Sequence, residues 1–204
     1  MSVRLPRVLC LGVLAVFTFC LGSAQAQNMT KKFAAGARHN LVVTCEGKVL
    51  SYGSGEAGQL GNGALVDVTT FVTVEEQGTV PVPLDDVVAV AAGEQHSLAL
   101  KRDGTVWYWG YELDQLGNPR STTRAHVMTM LADVVGIAAG SRHSLALTRD
   151  GTVYAWGFNF SGQLGQGTTS PSEYTAIPKQ IVTGFNPNVP IVAVFAGGEN
   201  SGAI

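Results

Sequence analysis

Residues 96–110 read HSLALKRDGTVWYWG, and 47 residues further on residues 143–157 read HSLALTRDGTVYAWG. Twelve of the fifteen positions are identical. In the first of these, Leu98-Ala99-Leu100 and Thr105 to Trp109 are short runs of apolar, β-branched and aromatic residues on either side of Arg102-Asp103-Gly104. Asp-Gly between two such runs is a strong β-hairpin signal, because glycine tolerates the positive φ of the turn. Asp150-Gly151 and Glu46-Gly47 repeat the signal.

Working outward, the same unit recurs over residues 34–63, 91–118 and 138–167, and begins a fourth time at Phe195 as FAGGENSGAI. The Ala-Gly marks Gly36, Gly93, Gly140 and Gly197 stand 57, 47 and 57 residues apart. Inside each full copy the spacing is rigid: 11 residues from that glycine to Gly47, Gly104 or Gly151, then 6 to Gly53, Gly110 or Gly157. Length varies only in the connections, as expected of a duplicated supersecondary unit. Val87 to Val90, Val134 to Ile137 and Ile191 to Val194 suggest a further strand ahead of each Ala-Gly, and Gly-Gln-Leu-Gly after the hairpin reads as a loop with tight turns. No segment has helical periodicity. A period near 50 residues with three or four short strands per unit is the pattern of a propeller blade.

The run Ala-Gly-x-x-His-Ser-Leu-Ala-Leu, Asp-Gly-x-Val-x-x-Trp-Gly, then Gly-Gln-Leu-Gly resembles the regulator-of-chromosome-condensation repeat, from Ala34 to Ile204. Copy three is a near-ideal match; copy two lacks the glycine of Gly58 and Gly162 within Tyr111-Glu112-Leu113-Asp114-Gln115, and copy one has Tyr52 in place of Trp109 and Trp156. The resemblance implies an all-β propeller, usually a closed ring of seven blades. The chain holds three blades (repeats 34–83, 84–130 and 131–187) and a stub (188–204). Copy one has Thr30-Lys31-Lys32-Phe33 where a valine-rich strand is expected, and the C-terminus carries such a strand. The chain is therefore expected to be a fragment of a longer propeller or a truncated gene product; were the arc to close, the stub would pair with the Asn40 to Tyr52 hairpin, or with another subunit that completes the ring by self-association.

Residues 1–26 read as a secretory signal peptide: Arg4 and Arg7, an apolar core from Val8 to Leu21, and Ala24-Gln25-Ala26 ahead of cleavage. The core is too short for the roughly 20 residues of a membrane span. The domain would then be 27–204, with secreted or periplasmic localisation, and its net charge would move from −2 to −4. Cys10 and Cys20 would leave, so Cys45 is expected alone, buried, with no intrachain disulfide and no cysteine metal site. Charged residues are only 14%, against about 25% in a typical domain. With no basic run, neither nucleic acid nor membrane is expected as a partner. Of the sequons Asn28-Met29-Thr30 and Asn159-Phe160-Ser161, the second falls in a repeated turn where a structural role is expected.

The chemical candidates favour structure over catalysis. His39, His96 and His143 each follow an Ala-Gly glycine by three residues, and the stub has Asn200 there. Equivalent atoms of neighbouring blades, rotated by roughly 50° in a ring of about seven, converge on one ion only near the axis, and metal–nitrogen bonds must be about 2.0–2.1 Å. A strand-bridging role is expected, with no metal and no cofactor. Asp103 and Asp150 belong to turns, and Glu75-Glu76 and Asp85-Asp86 are expected to be solvated in connections. Ser97 and Ser144 directly follow a histidine, but strand neighbours point to opposite faces, which is no hydrolase arrangement. His126 falls in a connection without an evident role. Trp109 and Trp156 are expected between blades. Partner binding is assigned to the variable stretches Ser54 to Ala57, Tyr111 to Asp114 and Phe158 to Ser161, with Tyr111, Glu112, Phe158 and Phe160 foremost and Trp107 and Tyr108 as further candidates. The expectation is an exported, non-catalytic protein-binding scaffold. The resemblance also implies two alternatives: a guanine-nucleotide exchange factor for a small GTPase, and a secreted inhibitor of the β-lactamase-inhibitor type.

Overall fold

The computed structural model describes residues 32–114, 118–169, 174–182 and 190–204. The expected signal peptide, with Cys10, Cys20 and the Asn28 sequon, lies outside the described residues. The first blade is an antiparallel meander of β1 (Phe33–Ala35), β2 (His39–Val43), β3 (Val49–Gly53) and β4 (Val68–Thr73). A short arm follows, β5 (Glu75–Glu76) and β6 (Val82–Pro83). The second blade comprises β7 (Val87–Ala92), β8 (His96–Lys101), β9 (Val106–Leu113) and β10 (Pro119–Val127). The third comprises β11 (Val134–Ala139), β12 (His143–Thr148), β13 (Val153–Phe158) and β14 (Tyr174–Gln180). The fourth is the pair β15 (Val194–Gly197) and β16 (Asn200–Ala203). The leading strands β1, β7, β11 and β15 pack against one another in succession, as in the inner ring of a propeller.

The hairpins form where Asp-Gly predicts them. Gly47, Gly104 and Gly151 have φ of +83°, +85° and +85°. The Asp103 carboxylate accepts from Thr105 N (2.9 Å) and Thr105 Oγ1 (2.7 Å), closing the turn on itself. Asp150 does the same with Thr152 N and Thr148 Oγ1.

The core lies between blades. Leu41, Val43 and Val49 of the first blade cluster with Val90, Ala99 and Trp109 of the second. Leu98, Leu100 and Val106 of the second cluster with Ala146 and Trp156 of the third. A third cluster joins Leu145, Ala155 and Leu164 to Val194. Alternation along β2 places His39, Leu41 and Val43 on one buried face, and the next blade covers that face.

Several expectations are corrected. The first blade has its inner strand: Phe33–Ala35 pairs with Leu41 and its neighbours without valines, because a ladder needs backbone groups rather than a particular side chain. The stub does not join the Asn40 to Tyr52 hairpin. That hairpin already has β1 on one edge and β4 on the other, so β15 and β16 pair with each other and pack on β11 and β12. Glu75 and Glu76 are half-buried ion-pair partners of the second blade: Arg124 Nε is 2.9 Å from Glu75 Oε2, and Lys101 Nζ is 2.6 Å from Glu76 Oε1. Their arm adds to the outer edge of β10, where Glu76 pairs in parallel with Ala125, and so covers part of an open strand edge. Asp85 and Asp86 are exposed as expected, yet they pair with Lys101 (3.6 Å) and Arg102 (3.1 Å). His126 is in strand β10, tilted against the Tyr108 ring with centroids 5.8 Å apart. Cys45 is exposed on the first hairpin turn, where a buried thiol was expected.

Candidate functional site

Each repeated histidine opens the second strand of its blade. The glycine three residues earlier makes room for the ring. None of Gly36, Gly93 and Gly140 has positive φ, so conformational freedom is not the reason for glycine there. A Cβ on Gly36 would fall 2.8 Å from His39 Cε1 and 2.9 Å from its Nδ1. The imidazole then reaches into the next blade. His39 Nε2 is 2.8 Å from Ser97 Oγ, His96 Nε2 is 3.0 Å from Ser144 Oγ, and His143 Nε2 is 2.8 Å from Ser201 Oγ.

The serines are tied in turn to the Gly-Gln-Leu-Gly loop. Ser97 Oγ donates to the Gln59 carbonyl at 2.9 Å, and Ser201 Oγ to that of Gln163 at 2.7 Å. Because those hydroxyls donate to a carbonyl, the imidazole supplies its Nε2 proton to the serine oxygen. The Gln59 carbonyl also accepts from Trp109 Nε1 at 2.8 Å. One oxygen of the first blade thus takes two donors from the second. The Gln59 side chain braces its own loop through Ala57 N (2.9 Å), and Gln163 repeats this with Ser161 N (2.8 Å). Backbone bonds add to the joints: Ala37 N to Gly93 O (3.1 Å), Ser141 N to Gly198 O (2.7 Å), Val87 N to Gly47 O (2.9 Å) and Val134 N to Gly104 O (3.1 Å).

Burial lowers the pKa of all three histidines, to about 4 for His39 and His96. For His96 its neighbours His39 and His143 add to the effect. Protonation would place a charge at Nδ1, which for His39 and His143 is buried and has no hydrogen-bond partner among the described residues. The rings are therefore neutral near pH 7. Among the described residues no three His, Cys, Asp or Glu side chains are grouped to hold a metal ion. No helix among them is long and apolar enough to cross a membrane.

Sequence reasoning placed the histidines but missed their partners. The partner of His39 is not the adjacent residue but one 58 positions away. A signal for it exists: the histidine is present in copies one to three, and the serine after it in copies two to four, with Asn40 in copy one and Asn200-Ser201 in the stub. That offset is what pairing of each blade with the next requires.

The middle joint departs from the others. Tyr111 and Glu112, expected in a loop, lie in β9, which runs with β10 as one long hairpin to Leu113 and Pro119. Without a glycine where Gly58 has φ of +82°, the chain extends as strand rather than turning under the next blade. A cavity of about 430 Å³ lies beside it, lined by His96, Tyr108, Met128, Arg142, Ser144 and Trp156 among others. Burial raises the Glu112 carboxyl, against the nearby Arg120 and a hydrogen bond from Tyr108. At the rim, Phe158 meets Phe160 and Tyr174, each with ring centroids 5.0 Å apart, and Arg142 lies 5.9 Å over the Phe158 ring. The Tyr174 hydroxyl donates to Leu113 O (2.8 Å), and burial pushes its pKa up to about 12. Trp107 is half-buried, with Lys101 Nζ 4.5 Å over its ring. Asn159 is 0% exposed; its amide donates to Thr168 O (3.0 Å) and accepts from Leu164 N (3.0 Å).

Four-stranded meanders joined blade to blade through histidine, serine and a loop carbonyl define a β-propeller repeat protein. The chain belongs to the Regulator of chromosome condensation (RCC1) repeat family, whose models match residues 31–59, 87–114 and 134–163 and residues 46–100 and 150–204. It is 38% identical over 87 residues to Protein RCC2 homolog of Danio rerio, covering 42% of this chain and 17% of that protein. It is 35% identical over 81 residues to the Ultraviolet-B receptor UVR8 of Arabidopsis thaliana, covering 40% and 17%. The crystal structure of Prp20p from Saccharomyces cerevisiae superposes with a TM-score of 0.65 at 27% identity, covering 84% of this chain and 42% of Prp20p. The chain thus spans less than half of Prp20p and under a fifth of the two curated relatives.

Proposed function

We propose that this chain is a non-catalytic protein-binding scaffold that acts after export, secreted or in a periplasm. One observation carries the first part: each repeated histidine is neutral and bonded to the next blade's serine, so the residues most like catalytic machinery are structural joints. What varies between the joints is surface, at Tyr111, Glu112, Phe158 and Phe160. Family membership supports a protein partner. Prp20p has binding properties to Gsp1p and histones, and this chain covers only 42% of it, so neither partner is assigned here. Export rests on the sequence of residues 1–26 alone.

The test combines two measurements. Edman sequencing of the protein recovered outside the cytoplasm should begin at Gln27; an intact N-terminus in the cytosol contradicts export. Photo-crosslinking from positions 111 and 160 should trap a discrete protein partner, and Tyr111→Ala with Phe160→Ala should weaken its binding without changing the thermal midpoint. Loss of the fold, or partner binding indifferent to both changes, contradicts the assignment of these surfaces. A GTPase-regulator reading is second, favoured by the likeness to Prp20p; it requires the full chain to accelerate nucleotide release from a small GTPase. The inhibitor alternative gains no support from the relatives named above.

A further inference from the structure

The loop that follows the first hairpin carries the sequence's one Asn-Gly step, Asn62-Gly63. Asn-Gly is the step most prone to close into a succinimide, because glycine has no side chain to shield its attacking main-chain nitrogen. The other copies fill this repeat position differently. In copy two it is Asn118, and Pro119 after it has no N–H to give up. In copy three it is Gln166, before Gly167, and its longer side chain would have to close a six-membered ring, a much slower reaction. The reactive pair therefore belongs to the first joint alone.

The fold holds that pair back. Gly63 N, the nucleophile, donates to Thr123 O of the second blade at 2.8 Å. Arg124 lies over the same glycine: a Cβ on Gly63 would fall 2.6 Å from a guanidinium nitrogen, and that guanidinium is paired with Glu75. Asn62 Oδ1 accepts from Ala64 N at 3.3 Å. Further back in the loop, Ser97 Oγ and Trp109 Nε1 both donate to Gln59 O, so the loop stays seated while the first joint is closed.

We infer that Asn62 is a deamidation site gated by the joint between the first and second blades. With the joint closed, Gly63 N is committed to Thr123 O and Asn62 is inert. When the joint opens, Gly63 N attacks Asn62 Cγ. The new N–Cγ bond replaces the Cγ–Nδ2 bond, and the departing amide nitrogen leaves as ammonia with the proton of Gly63 N. Water then opens the succinimide at one carbonyl or the other, giving aspartate or isoaspartate at position 62. Both products carry a negative charge that asparagine lacks. Isoaspartate also lengthens the main chain by one methylene just ahead of Gly63, which takes Gly63 N out of register with Thr123 O. Openings of the joint are thus recorded as a covalent mark in the loop that closes it. The chemistry needs no partner and is independent of the scaffold reading.

The test follows Asn62, Asn118 and Gln166 by peptide-mapping mass spectrometry while the full chain ages in neutral buffer. A capped peptide of residues 58–66, GQLGNGALV, is aged beside it. The peptide should deamidate at least about tenfold faster than the folded chain, because a loop held by tertiary hydrogen bonds opens only rarely. The slowing should match, within about a factor of three, the hydrogen-exchange protection of Gly63 N–H, since one opening exposes both. Ser97→Ala, which removes one donor from Gln59 O, should raise the Asn62 rate several-fold. If that variant does not fold, sub-denaturing urea on the unaltered chain takes its place and should raise deamidation and exchange together. Asn118 and Gln166 should stay intact throughout. Deamidation of the folded chain at the peptide's rate overturns the inference. So does an Asn62 rate indifferent to joint opening by either route, or loss of Asn118 or Gln166 in step with Asn62.

Discussion

His39 shows how a reactive side chain becomes a structural one. Its ring is 1% exposed, its Nε2 proton is directed at Ser97, and its Nδ1 lies against Gly36, where a proton would find no acceptor. The folded ring therefore resists protonation down to about pH 4, while in the unfolded chain it titrates near 6.5. Between those values the unfolded state binds the extra proton, so stability is full above about pH 6.5 and falls as pH drops toward 4. His39 and His96 each contribute up to about 3 kcal/mol to that fall. The urea midpoint should be flat from pH 8 to 6.5 and decline from 6.5 to 4, ahead of the carboxylates. A midpoint unchanged across that window contradicts buried neutral histidines. Gly36→Ala should cost roughly 2 kcal/mol or more in the same assay, because the added methyl must displace either the His39 ring or the Gly93 carbonyl.

At the scale of elements, the hairpins were legible because their signal is local: Asp103-Gly104 and Asp150-Gly151 sit between runs whose composition permits only strand. The same locality made Asn159 readable as a turn residue. Its buried amide bridges Thr168 and Leu164, so Asn159→Ala should destabilise by about 1–3 kcal/mol, measured by denaturation. Mass spectrometry of protein from a glycosylating host should find no glycan there. What was not legible was non-local. The role of Glu76 depends on Lys101 of the following blade, and the strand at Tyr111 and Glu112 depends on pairing with Arg120 and Ser121. The missing glycine in copy two was visible in the sequence, and its consequence was a longer hairpin rather than a more variable loop. The serine partners of the histidines were visible as an offset pattern, but only a structure turns that offset into a bond across blades.

For the molecule as a whole, the core is laid down between blades, and each joint carries a histidine bonded to the next blade's serine, with the serine donating on to a loop carbonyl in the first and third joints. The repeats therefore hold the arc together and leave partner choice to what does not repeat. Among the described residues Ser144 Oγ meets His96 alone, whereas Ser97 Oγ meets His39 and donates to the Gln59 carbonyl, so Ser97→Ala leaves two groups short of a partner and should destabilise more than Ser144→Ala. A double-mutant cycle measures the joint most directly. His39→Ala and Ser97→Ala should be non-additive by about 0.5–3 kcal/mol, as expected for residues in direct contact. His39→Ala with Ser144→Ala, which belongs to the next joint, should be additive within about 0.5 kcal/mol. Additivity of His39 with Ser97 would contradict the account and return the histidine to the list of groups that need a chemical explanation.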